Sequence, residues 1–283
     1  MERFATNDEI LRLLGISSSE ESHVDMLVDI ATETLADLLG IDEFGAHAVT
    51  NELIEIIRPD RVVFHQAPVD FDGTITLRDM NRNVITNCTL EQHNRSLRIA
   101  RVLDEGSLPS QLGYPQIFAT YTAGWNLYAT IEVLVNPSAD QTFYVKEAGV
   151  EEAWTFKASG ATGNQINLDA SAALTAAAIA TALGGTLSGS TVTLPLGMSA
   201  RLGTAAASSL DITASDRPAQ LLMALALIVG GSYAEKSKKG GVSSYSIGPK
   251  TINFRTDEDA NSFQAIMGQW LPRFKSPVTI RGI

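Results

Sequence analysis

Tyr121-Thr122-Ala123-Gly124-Trp125 and Asp216-Arg217-Pro218-Ala219-Gln220-Leu221-Leu222 read as the two sides of one interrupted helix-opening pattern. Between them runs a long stretch rich in Ala, Gly, Ser and Thr. Before the break the chain reads as helices followed by strands, and after it as two strongly apolar helices, so neither flank closes a core alone. The division expected is a discontinuous core, residues 1–125 with 216–283, carrying a small inserted domain at 126–215. A domain is inserted without damage only where its two ends are near neighbours.

The amino-terminal flank opens with Thr6 and Glu9, the spacing at which a hydroxyl and a carboxylate cap each other's backbone amides, and Ile10, Leu11, Leu13 and Leu14 follow up to Gly15. A longer helix is marked by Val24, Leu27, Val28, Ala31, Leu35, Leu38 and Leu39, with Asp25, Asp29, Glu33 and Asp37 between them and Gly40 at the end. From Ala48 to Leu90 the period shortens. Arg61 to Phe64 and Thr74 to Arg78 read as strands, and Met80 to Asn83 as a polar turn into Val84-Ile85-Thr86-Asn87. Ile117 to Thr122 is a further strand. In the insert, Thr130 to Val135, Thr142 to Val145 and Ser190 to Leu194 read as strands, and Ala170 to Leu183 as an alanine-rich helix. After it, Asp216 caps a helix with Pro218 in its first turn, ended by Gly240-Gly241. A strand from Ile247 to Phe254 leads to a last helix, capped by Thr256 and stopped at Pro272. Arg273 to Ile283 is expected as an extended basic arm.

Composition narrows the function classes. Of 283 residues, 45% are apolar and 19% charged, a globular balance. The single Cys88 cannot form an internal disulfide, and there is no Cys/His cluster of zinc-site spacing. The start lacks a signal-peptide layout, and Leu221 to Val229 is far shorter than the roughly 20 apolar residues of a membrane helix. A soluble protein made inside a cell is expected. The net charge of -11 repels nucleic acid, which suits a passage that DNA slides through better than a sequence reader.

Few residues invite a chemical role. Asp70-Phe71-Asp72-Gly73-Thr74 matches the D-x-D-G-T signature of haloacid-dehalogenase-type phosphatases, in which Asp70 would be nucleophile and Asp72 general acid/base beside magnesium. The match is local: Ala67-Pro68 breaks the strand expected upstream, no acidic metal motif follows, and a polar turn needs Asp and Gly for backbone reasons alone. His23, His47, His65 and His93 are scattered, and Cys88, Glu91 and His93 are near one another in sequence without an identifiable oxyanion site. Gly160-Ala161-Thr162-Gly163-Asn164 lacks the phosphate-loop ending and reads as a turn, and Lys236-Ser237-Lys238-Lys239 as a solvated helix end.

With the insert set aside, the order is a capped short helix, Asp29-Ile30-Ala31-Thr32-Glu33-Thr34-Leu35-Ala36-Asp37-Leu38-Leu39-Gly40, strands, Tyr121-Thr122-Ala123-Gly124, a Pro-initiated apolar helix, Ser244-Tyr245-Ser246-Ile247-Gly248 and Leu271-Pro272-Arg273-Phe274. This order resembles the head-to-tail connector (adaptor) proteins of tailed bacteriophages, over residues 1–125 and 216–283. Phe156 to Gln165 is similar in texture to small domains of phage structural proteins. The resemblance implies an α+β fold with a mainly α-helical adaptor core and β-hairpins, interrupted by a small α/β domain. It also implies a virion protein of the neck, made in the bacterial cytoplasm, forming a ring of about a dozen copies by heterologous contacts. Its partners would be itself, the portal and tail or neck proteins, with transient passage of DNA and no membrane. Neither catalysis, cofactor nor metal is implied. In that family the carboxyl-terminal region reaches the portal, which makes Arg273, Phe274, Lys275, Val278, Ile280 and Arg281 the candidate portal-binding residues. Another virion component, for tail completion or decoration, is the alternative.

Overall fold

The computed structural model describes residues 2–58, 60–86, 88–103, 116–147, 149–205, 207–237, 243–247 and 250–274. Helix α1 (Asn7–Leu14) starts on the expected capping box, with Glu9 N–H donating to Thr6 Oγ1 and Thr6 N–H to Glu9 Oε2. Gly15 closes it in the left-handed conformation. Helix α2 (Glu21–Leu39) buries Val24, Leu27, Val28, Ala31, Leu35 and Leu39. Its exposed face carries Glu21, Asp25, Asp29, Glu33 and Asp37, one every four residues.

Six strands follow: β1 (His47–Arg58), β2 (Arg61–Val63), β3 (Thr76–Arg78), β4 (Leu90–Gln92), β5 (Ile99–Val102) and β6 (Gln116–Ala123). They form one antiparallel sheet in the order β3-β6-β1-β2-β5-β4. The alternation of β6 buries Ile117, Ala119, Tyr121 and Ala123, which join Ile54, Val62, Phe64, Leu77, Ala100 and Val102 in one cluster. A bulge interrupts the β1–β6 pairing between Val49 and Glu52, where Asn51 takes a left-handed φ of 53° and donates its N–H to Thr120 Oγ1.

The insert supplies β7 (Thr130–Val133), β8 (Thr142–Glu147), β9 (Val150–Lys157), β10 (Gln165–Asn167), α3 (Ala172–Leu183), β11 (Thr186–Ser188), β12 (Thr191–Thr193), β13 (Ser199–Leu202) and β14 (Leu210–Thr213). Two four-stranded sheets result, β10-β9-β8-β13 and β11-β12-β7-β14. Ile131, Val133, Phe143, Phe156, Val192 and Leu210 form their shared core with Ala176, Ile179 and Leu183 of α3. Full burial of each large side chain there contributes about 1.5–3 kcal/mol. The insert's first and last strands are neighbours, with Thr130 opposite Thr213, and Asp216 N–H donates to Asn126 O at 3.0 Å, so departure and return lie side by side.

The chain continues into α4 (Ala219–Ser237), the hairpin of β15 (Ser243–Ile247) and β16 (Lys250–Phe254), and α5 (Asp257–Phe274). At Gly231 a Cβ would come within 1.6 Å of Asn253 O, so the residue is glycine because α4 lies directly on β16. The Thr256 hydroxyl caps α5 by accepting Asp259 N–H at 3.1 Å.

Several expectations are corrected. The mainly α-helical core is not found: among the described residues the chain is predominantly β, and the segment between α2 and Trp125 is built around one six-stranded sheet. A strand as short as β4 carries too little alternation to be read, and β3, read as part of Thr74 to Arg78, is held by β6 about forty residues on. Val84 to Thr86 is not a strand, Val84 making an isolated bridge to Arg78, and Asn87 lies outside the described residues. Nor does Pro272 stop the last helix, since α5 runs on to Phe274.

Two compact units result. The first comprises Met1–Phe4, Asp29–Trp125 and Ala219–Ile283, and the second Ala5–Val28 with Asn126–Pro218. Relative to the boundaries read from sequence, Ala5–Val28 falls with the insert.

Candidate functional site

The interrupted pattern converges on one aromatic cluster in the first unit. Gly124, at a φ of 92°, lies so close to Gly45 that a Cβ would come within 2.1 Å of its carbonyl oxygen. Its N–H donates to Pro68 O at 2.8 Å, and that of Trp125 to Phe44 O at 2.8 Å. This backbone seat aims the Trp125 indole at Phe44 (ring centroids 5.9 Å apart), Phe4 (6.0 Å), Trp270 (6.2 Å) and Phe274 (6.0 Å). Trp270 Nε1 donates to Gln220 Oε1 at 2.9 Å, satisfying the indole's polar edge from the first turn of α4.

Two of the six candidate portal-binding residues therefore have internal work. Phe274 is buried in this cluster. The Arg273 guanidinium lies 4.5 Å from the Trp270 ring centroid and its Nε donates to Arg95 O at 3.2 Å. Burial, with Arg95 nearby as a second cause, draws its pKa below the ordinary arginine value. The Arg273 carbonyl in turn accepts Leu97 N–H at 2.9 Å. Lys275, Val278, Ile280 and Arg281 lie outside the described residues.

The D-x-D-G-T stretch is a turn whose first carboxylate is occupied by its own backbone. Asp70 Oδ1 accepts Asp72 N–H at 3.1 Å and Gly73 N–H at 3.0 Å, and Asp70 N–H donates to Thr122 O. Asp72 is exposed, and no cluster of three His, Cys, Asp or Glu side chains able to hold a metal ion occurs among the described residues. Cys88 packs against the sheet core, Glu91 is exposed on β4, and His93 Nε2 sits 3.1 Å from the Asn94 amide. His23 lies beside Glu20, His47 beside the Gly45 carbonyl, and His65 on the surface, so the four histidines serve separate places. In the glycine turn, Ala161 N–H donates to Asn167 Oδ1 and Thr162 N–H to Gln165 Oε1, which occupies amides a phosphate would need. The side chains of Lys236 to Lys239 lie outside the description.

Two polar constellations carry no signal in the sequence. Tyr121 O–H donates to Glu52 Oε2 at 2.6 Å and accepts Gln66 N–H at 3.2 Å, while Arg98 donates to the His65 and Gly40 carbonyls. Burial, and then the hydrogen bond to Glu52, push the Tyr121 hydroxyl well above the usual phenol range. The network ties the end of α2 to the sheet. In the second unit, Arg217 makes a bidentate bridge to Glu9, Nη1 to Oε2 at 2.9 Å and Nη2 to Oε1 at 2.5 Å, with both side chains under a tenth exposed. Their positions are 208 residues apart, and only the local cap of Glu9 could be anticipated.

Comparison with protein-family models, with curated proteins and with solved structures found no match. No helix among the described residues is long and apolar enough to cross a membrane. What the geometry offers is internal pinning and broad surfaces, with side-chain polar groups directed largely at the chain's own backbone.

Proposed function

We propose that the chain is a head-to-tail connector of a tailed bacteriophage, a neck protein that joins about a dozen copies of itself in a ring between portal and tail. The observation that carries this reading is the convergence on Trp125. Of the motifs behind the resemblance, Tyr121-Thr122-Ala123-Gly124 leads directly into Trp125, Leu271-Pro272-Arg273-Phe274 packs Phe274 on that indole, and Gln220 at the start of the apolar helix bonds the neighbouring Trp270, so segments separated by the insert join one aromatic cluster. A shared packing role gives a reason for those short motifs to occur in that order around an interruption. The net charge of -11 fits a conduit wall that leaves passing DNA unbound.

The test is co-expression with the portal of the parent phage, copurification, and electron microscopy of the mixture. An annular density below the portal is expected. Absence of the protein from purified virions would sink the proposal.

A further inference from the structure

Three arginines stand in register across the six-stranded sheet, Arg61 and Arg101 on the face opposite its core and Arg58 paired with Arg61 just past an irregularity in β1 between Ile56 and Arg58. Arg58 of β1 is directly opposite Arg61 of β2, which is directly opposite Arg101 of β5. Val62, Ala100 and Val102 belong to the buried cluster, so the alternating Arg61 and Arg101 project to the other side. Like charges directly opposite on paired strands repel, and a structure does not place three together without an opposing cost or use. Local neutralisation is slight. Asp60 approaches Arg61 Nε only to 3.7 Å, and that buried nitrogen has no hydrogen-bond partner among the described residues. Glu91 is opposite Arg101 on β4, yet no ion pair joins them, and Arg58 and Arg101 are exposed.

The same unit carries the complement. Along α2, Asp29, Glu33 and Asp37 are exposed at four-residue spacing. Arg3 takes Asp29 at 2.6 Å. Four residues of helix advance about 6 Å, against about 4.8 Å between neighbouring strands, so ladder and row have comparable pitch.

Resting on the connector reading, we propose that the Arg58–Arg61–Arg101 row of one copy docks on the acidic α2 face, centred on Glu33 and Asp37, of the next. Copies of net charge -11 repel one another, and a contact between unlike patches is how they can associate. Row and ladder are different surfaces, so the contact is heterologous, the kind that forms a ring when its rotation closes, as the connector reading requires. A DNA backbone is the less suitable occupant, because the surrounding field of the protein is negative.

The experiment uses two charge-reversed variants, Arg61→Glu with Arg101→Glu, and Glu33→Lys with Asp37→Lys. Sedimentation velocity follows each alone and mixed one to one, with and without portal. Each variant alone should self-associate about tenfold or more weakly than the unaltered chain, and the mixture should recover, since each reversed patch then meets a complementary one. Rings formed equally by both variants would overturn this contact while leaving the connector reading in place. Loss of affinity for a short duplex with self-association unchanged would make the row a DNA site and overturn it too. No association of the unaltered chain, even on portal, together with its absence from virions, would remove the connector reading itself.

Discussion

The Glu9–Arg217 bridge gives a prediction whose size follows from its burial. Both side chains are under a tenth exposed, so deleting one partner leaves a charge that water cannot reach, a loss of about 3–5 kcal/mol. Glu9→Ala also removes the acceptor of Thr6 N–H, which adds about 0.5–1.5 kcal/mol for the reciprocal bond of the capping box, while Thr6 Oγ1 still accepts the residue-9 N–H. Glu9→Gln separates the two effects: an amide oxygen can still receive Thr6 N–H, but Arg217 stays uncompensated. The expected order of stability is unaltered chain, Glu9→Gln, Glu9→Ala. The double variant Glu9→Leu with Arg217→Met should lose less than the two single losses added, because it buries no orphan charge. Urea unfolding followed by circular dichroism measures this. Single variants within about 0.5 kcal/mol of the unaltered chain, or strictly additive losses, would refute the coupling.

Three further outcomes are expected. Tyr121→Phe should cost about 1–3 kcal/mol at neutral pH by removing the shorter of two hydrogen bonds to Glu52 Oε2, which keeps the His65 N–H, and the acceptor of Gln66 N–H. Because folding raises the Tyr121 pKa, its contribution is complete below the unfolded value near 10 and declines as pH rises above it, so the variant's alkaline loss of stability in pH-dependent melts should be shallower. Removing residues 275–283 should leave thermal melting unchanged but abolish portal attachment at near-physiological salt, whereas removal from Arg273 onward also strips Phe274 from the Trp125 cluster and should destabilise by about 3–5 kcal/mol. Asp72→Asn should leave stability within about 0.5 kcal/mol, and Asp70→Ala should lose about 1–3 kcal/mol with the two turn hydrogen bonds. Magnesium-dependent hydrolysis of a phosphate ester that vanishes in Asp72→Asn would reverse that assignment.

What could be read from the sequence was what is local. The Thr6–Glu9 box, the Thr256 cap and the α2 stripe depend on residues within a few positions of one another, and each stands as expected. The sheet was under-read because its order is set by pairings such as β1 with β6, in which Glu52 meets Ala119 across most of the segment. At Pro272 the rule failed for a tertiary reason: Leu97 N–H and Ser96 Oγ capture the Arg273 carbonyl and hold the last turn in place. The candidate surfaces were legible only in part. Asp29, Glu33 and Asp37 were visible as a polar face, while the arginine row exists only once β1, β2 and β5 are laid side by side.

The 208-residue span between Glu9 and Arg217 also sets a clock for biosynthesis. At about 5–20 residues per second, α1 leaves the ribosome roughly 10–40 s before its ionic partner is made. Throughout that interval the capping box, satisfied within its own turn, is what the helix has to hold it. Phe4 waits longer still, for Trp270 and Phe274 close the cluster around Trp125 only after α5 has been translated. The second unit has all of its residues once Pro218 is made, whereas the first waits for Phe274, so the two units become complete at different stages of translation.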